Sequence, residues 1–299
     1  LSRTFPPDVI VLDNDSLVHA RFGRGKNNLR IVNAKSYRLA DGTFTAAPVT
    51  PQLTSDTSLA DALRRMKMET GKWDKVSLLL PDSWFRMNIL DLPSLPEKNG
   101  DAMDIVRWSL KRTLPIPPDQ LRVAYSVLSR GTEGVKVLVL SAMESTLTAI
   151  ERVFAAAGLD IVLVEPVGLN IWNAITVRER ENEGAGDRIF FHVRDTDFTT
   201  AVFRGSQPLF LRSRNISAER PLDQEIRLSA SYLRDTLSIE SFSRCYVAGT
   251  RGADVQSTLA EEFNTQVRNI SLRDYVDDAP TGVSDYEAEL TACTGVFTG

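Results

Sequence analysis

The chain has 299 residues, 42% hydrophobic and 25% charged, with a net charge of −4. That is the balance of a soluble globular protein long enough for two core-bearing domains. A pI near 5.4 argues against nucleic-acid binding, which needs clustered Lys and Arg. No run approaches the ~20 apolar residues that span a bilayer.

Apolar strands at 9–12 and 17–22 flank the turn Asp13-Asn14-Asp15-Ser16, and further turns fall at 26–28 and 41–42. Residues 46–57, with Pro48 and Pro51, read as a loop. Leu59, Leu63 and Met66 recur at helical spacing, predicting a helix over 58–70 capped by Ser55 or Asp56. Strands follow at 76–80, stopped by Pro81, and at 86–90. Met103, Val106, Leu110 and Leu114 make one stripe of a helix over 100–114, which Pro115, Pro117 and Pro118 terminate. Arg107, Lys111 and Arg112 make its other side basic, most plainly a solvated face. Strands at 123–128 and 135–140 flank a turn at 131–134. A helix over 144–157, stopped by Gly158, leads to a buried strand at 161–164 and a helix over 167–178.

The polar, glycine-bearing segment 179–187 is the best domain boundary. Beyond it a meander of strands at 189–193, 199–203 and 209–213 turns at Gly205-Ser206. Ile226, Ala230, Leu233 and Leu237 form a helical stripe. A strand at 245–248 runs into Gly249-Thr250-Arg251-Gly252 and a helix carrying Val255, Leu259 and Phe263. Residues 286–297 read as a last helix of small and apolar residues.

Cys245 and Cys293 are the only cysteines and read as two reduced, buried thiols, with a disulfide as the alternative. His19 and His192 stand alone in their strands, without the spacing of a zinc site. There is no Gly-x-Ser-x-Gly elbow and no Gly-x-x-x-x-Gly-Lys loop. No catalytic constellation or metal site is legible. The strand–turn–strand unit at 9–22 recurs at 189–203, around His192-Val193-Arg194-Asp195-Thr196-Asp197. Both halves open on antiparallel strands and continue in strand–helix alternation, which fits an α/β fold of two ribonuclease-H-like halves, as in actin-like ATPases, although periodicity alone does not separate it from other α/β folds.

The segment Val76-Ser-Leu-Leu-Leu-Pro-Asp-Ser-Trp-Phe-Arg-Met-Asn-Ile-Leu-Asp-Leu-Pro93 resembles the PilM family, actin-like cytoplasmic proteins of type IV pilus assembly. So does Ile105-Val-Arg-Trp-Ser-Leu-Lys-Arg-Thr-Leu-Pro-Ile-Pro117. The likeness implies a first half over 1–178 with an inserted α+β subdomain at about 45–140, and a second half over 188–299. It implies a scaffold that is peripheral at the inner membrane and contacts it only through a partner. That partner would be the N-terminal cytoplasmic peptide of a PilN-like membrane protein, held beside the insertion with Leu90, Arg107, Trp108 and Leu110 as candidate contacts. For Trp108 core packing competes with that role. The chain also resembles the cytoplasmic domain of GspL in type II secretion, which implies a secretion motor ATPase as an alternative partner.

Asp13, Ser16, Arg194, Gly249 and Gly252 would line the nucleotide cleft of such a fold. The family's first turn reads Asp-Ile-Gly-Ser followed by Lys; here Asp15 stands where the Gly would be, and no Lys follows in the hairpin. The second turn should read Asp-Ile-Gly and reads His192-Val193-Arg194. Glycine permits the positive φ and close approach that an N–H cradle needs. An aspartate there adds a like charge, costing about 4 kcal/mol at ~4 Å and an effective dielectric near 20. A micromolar affinity is worth only ~8 kcal/mol. Residues 215–224 are also too few to hold the family's helical lid. The expectation is a degenerate pseudo-ATPase that uses neither ATP nor magnesium. The alternative is an ATP-cycling switch using Asp13 and Arg194.

Overall fold

The computed structural model describes residues 5–45, 51–71, 73–179, 186–205 and 207–297. β1 (Asp8–Leu12) pairs antiparallel with β2 (Ser16–Arg24), and β2 with β3 (Leu29–Arg38). All five residues of β1 are buried, as suits a strand covered on both faces. α1 (Asp56–Thr70) begins where the Ser55 side chain accepts the Ser58 N–H, and it buries Leu59, Leu63 and Met66. β4 (Lys75–Leu80) returns parallel to β1.

After Pro81 the chain makes a separate unit of β5 (Phe85–Leu92), α2 (Asn99–Lys111), β6 (Leu121–Gly131) and β7 (Gly134–Met143). Its sheet runs β5-β7-β6, and Val106 and Leu110 of α2 pack on Val123, Val137 and Val139. The insertion therefore starts well after residue 45: α1 and β4 belong to the first sheet and its core. α2 also stops before Leu114. The N–H groups of Thr113 and Leu114 both turn back to the Leu110 carbonyl, and Leu114 precedes a proline, which disfavours helical backbone.

α3 (Glu144–Ala156), β8 (Asp160–Pro166) and α4 (Val167–Glu179) complete the first half. β8 is not a buried strand. It pairs only with β4, as a sheet edge, and Val162 is exposed. The expected boundary at 179–187 and the turn at Gly205-Ser206 fall largely outside the described residues, as does part of the 46–57 loop.

The second half repeats the design with β9 (Asp187–Val193), β10 (Asp197–Arg204), β11 (Gln207–Asn215), α5 (Leu222–Asp235), β12 (Arg244–Ala248), α6 (Gln256–Phe263) and β13 (Val267–Asn269). Its order β11-β10-β9-β12-β13 matches β3-β2-β1-β4-β8 strand for strand, antiparallel through the meander and parallel beyond it. That correspondence is the duplicated ribonuclease-H-like fold.

The tail then leaves the half assigned to it. β14 (Val276–Asp278) pairs parallel with β3, at the edge of the first sheet. α7 (Glu287–Gly295) packs on α4. Leu290, Ala292 and Cys293 are fully buried in one core with Val9 and Ile171 from the first half and Phe190 and Tyr246 from the second. Trp172 stacks on Phe203 within it, ring centroids 3.7 Å apart. Both cysteines are free and buried.

The α4–α7 crossing depends on a missing side chain. A Cβ on Gly295 would lie 1.9 Å from the Asn170 carbonyl oxygen, whereas one on Gly100 in α2 meets nothing within 4 Å. Gly295→Ala is therefore expected to lower the melting temperature markedly, by overpacking against backbone. Gly100→Ala should leave it level or raise it, worth up to about 1 kcal/mol. Thermal denaturation of the two variants checks the pair.

Candidate functional site

The two turns meet across the cleft between the sheets. Each closes on itself: the Asp13 N–H donates to the Ser16 carbonyl at 2.8 Å, and the Arg194 N–H to the Asp197 carbonyl at 2.9 Å. Among the described residues only Ser238 and Asn264 are non-glycines in the left-handed region. Neither turn thus has the alternating backbone that gathers N–H groups into an anion nest. Instead Arg194 crosses the cleft, its Nη2 2.5 Å from Asp13 Oδ2 and its Nε 3.9 Å from Asp197 Oδ1. Burial opposes the guanidinium charge, but Asp13 and Asp197 outweigh it and hold the pKa above its usual value. Burial pushes Asp197 up, with Arg194 opposing. Its Oδ2 accepts from Ser83 at 3.2 Å and Thr196 at 3.1 Å.

Beneath this pair lies a buried triad. Asp82 follows β4 directly, takes the Gly168 N–H at 2.7 Å and sits 2.9 Å from His192 Nδ1. Burial raises the Asp82 pKa, yet His192 and the Gly168 N–H together bring it below the ordinary carboxylate value. A Cβ on Gly168 would lie 2.2 Å from Asp82 Oδ2, so only glycine lets the start of α4 come this close. The histidines are thus not isolated. His19 likewise pairs with Asp8 at 2.8 Å, alongside Arg21.

The remaining wall comes from the second half and the tail. Gly249, at φ +102°, brings its backbone against β9; a Cβ there would lie 2.2 Å from the Val193 carbonyl oxygen. Glu289 of α7 faces the cleft with Oε2 buried and unpartnered. Burial first, then repulsion from Asp13, raises its pKa. The cavity of about 270 Å³ is lined by Asp13, Asp15, Ser16, Arg194, Asp195, Gly249 and Glu289, among others. Gly252 is not in this lining; it donates its N–H to the Gly249 carbonyl. Four carboxylates thus face one arginine, and that arginine is already paired. A triphosphate would meet no free cation in this lining: its one arginine is paired, and the remaining charges are carboxylates, which repel phosphate. Among the described residues no cluster of three or more His, Cys, Asp or Glu is placed to hold a metal.

The structure brings Asp13, Ser16, Arg194 and Gly249 together at the cleft, and adds Asp82, Asp197 and Glu289, which the sequence did not single out as site residues. Asp82 had a signal, since it stands at the carboxyl end of a parallel strand, where ligands gather in α/β sheets. Glu289 had none, because only tertiary packing brings α7 to the cleft.

At the insertion, the expected contacts separate. Leu110 is fully buried in the core under α2 and offers no surface. Leu90 is half-buried against the same core. Arg107 and Trp108 are exposed on α2, Trp108 at 63%, with Arg112 over its ring at 5.6 Å. Core packing of Trp108 is thereby excluded. The link from β11 to α5 is a short turn at 216–221 closed between Ser217 and Arg220, with no helix of its own.

Two matched sheets around one cleft define an actin-like ATPase fold. A Bacteroides thetaiotaomicron protein of that fold and unknown function is similar at TM-score 0.57 and 13% identity, over 96% of this chain and 94% of that one. The likeness is fuller to the PilM–PilN type IV pilus biogenesis complex, with TM-score 0.79 and 16% identity over 96% of both chains. The cytoplasmic domain of EpsL, an inner-membrane component of the Vibrio cholerae type II secretion system, is similar at TM-score 0.55 and 12% identity, over 98% of this chain and 94% of that one. No family model matches the sequence, nor does any curated protein. The resemblance to PilM read from the sequence holds at the level of fold.

Removing Arg194 would strand buried Asp197 and Asp13. Arg194→Ala should cost roughly 3–5 kcal/mol of unfolding free energy in denaturant titrations. Glu289 acts oppositely. A carboxyl whose folded-state pKa is raised costs stability above that pKa, and the cost fades as pH falls toward the unfolded value near about 4.3. Glu289→Gln should therefore raise the melting temperature at pH 7 by roughly 2–4 °C, with the gain shrinking as the buffer is taken toward about pH 5.

Proposed function

We propose that this protein is a PilM-like interaction scaffold of a type IV pilus machine, working by docking and without ATP turnover. It would hold the N-terminal cytoplasmic peptide of a PilN-like membrane protein beside the inserted subdomain and reach the inner membrane only through that partner. The Arg194–Asp13 pair carries this reading: the cation in the cleft lining that would meet a phosphate is spent within the protein. The likeness to the PilM–PilN complex supports the partner class. Among the described residues no helix is long and apolar enough to cross a membrane. The exposed face of α2, with Arg107 and Trp108, is the docking surface proposed for the peptide.

A second reading, a GspL-like domain that binds a secretion motor ATPase, draws on the likeness to the EpsL cytoplasmic domain. Both readings place the function on surfaces rather than in the cleft.

Isothermal calorimetry with magnesium ATP should show no binding at micromolar concentrations; tight binding would refute the nucleotide-free part. A PilN-like N-terminal peptide should bind saturably, and Trp108→Ala should weaken it about tenfold, or 1.4 kcal/mol, without lowering the melting temperature. Binding of the secretion ATPase but not of the peptide would select the second reading.

A further inference from the structure

Away from the cleft, the insertion and the second half leave a cationic groove between them. β5 and β11 are edge strands of their own sheets. They lie side by side, bounding a cavity of about 660 Å³. Arg86 of β5 and Arg212 and Arg214 of β11 line it. The last two are two positions apart and so share a strand face.

These arginines are short of anions. Among the described residues Arg86 reaches only the carbonyl of its neighbour Phe85, at 3.4 Å, and Arg214 only that of Ser213, at 3.3 Å. Arg212 has Glu225 at 3.5 Å, but its Nε is buried without a partner, as is Asn88 Oδ1 on the β5 side. Glu225 is itself shared with Arg220 at 3.9 Å. Burial, then repulsion from Arg214, pulls Arg86 and Arg212 below the usual guanidinium pKa. The groove is also partly apolar. Phe210 packs on Tyr232 with ring centroids 5.4 Å apart, and Leu114 and Pro115 line it from the end of α2. Tyr232 and Leu228 of α5 remain exposed.

We propose that this groove binds an extended acidic segment of a partner protein, its carboxylates on Arg86, Arg212 and Arg214 and its apolar side chains against Phe210 and Tyr232. The charge complement calls for an anion. The apolar wall of Leu114, Pro115, Phe210 and Tyr232 calls for a peptide with apolar side chains rather than a small ion. The site is separate from the α2 face, so it stands or falls independently of the pilus reading.

The test is fluorescence polarisation of a labelled Glu-Leu-Glu-Leu-Glu-Leu peptide against the full chain at low salt. The Gln-Leu counterpart and sodium phosphate at matched ionic strength serve as comparisons. The acidic peptide should bind about tenfold or more tighter than the Gln peptide, and Arg86→Gln with Arg214→Gln should remove that advantage. Arg86→Glu with Arg214→Glu should invert the preference toward a Lys-Leu peptide, a gain that a merely unfolded variant would not show. Equal binding of the Gln peptide, unchanged affinity in the double variant, or complete displacement by low-millimolar phosphate would overturn the proposal.

Discussion

Arg194 joins the halves of this protein by charge where an actin-like ATPase would join them through a nucleotide. Its guanidinium lies between Asp13 of the first turn and Asp197 of the second. Such a pair is costly to desolvate and costlier to break, since either partner alone would be a partly buried, uncompensated charge. The buried Asp82–His192 contact and the Gly168 N–H sit directly below it. The cleft is therefore held by its own side chains, and its remaining free charges are carboxylates.

That arrangement moves attention to the surfaces that the closed cleft brings together. The inserted subdomain is fastened to the first half through β4 and α3, and its edge strand β5 faces β11 of the second half. Relative movement of the halves would alter the β5–β11 groove and the Arg194 pair together, because both lie between the same bodies.

The strands and helices were largely legible. Apolar runs marked the strands, and Leu59, Leu63 and Met66 marked α1 through the 3.6-residue period. Errors fell where local pattern is weakest. β13 and β14 are three residues each, too short to show a period. The end of α2 was read from its prolines, although the chain had already turned at Leu110. Leu110 was taken for a contact surface because a stripe of apolar residues does not reveal what will cover it.

By itself the sequence determined the paired turns and most of the order of elements, which are written in local spacing, while its motif residues carried the likeness to PilM and the departures from that family's glycine turns. The tertiary structure alone decided what the turns do. Asp13 and Arg194 are far apart along the chain, and only the facing of two sheets puts their side chains in contact. It also decided where the tail lies, since α7 packs on α4 through Gly295 and carries Glu289 into the cleft. Long-range ion pairs and shared cores depend on which surfaces meet, and no periodicity along a chain encodes that meeting.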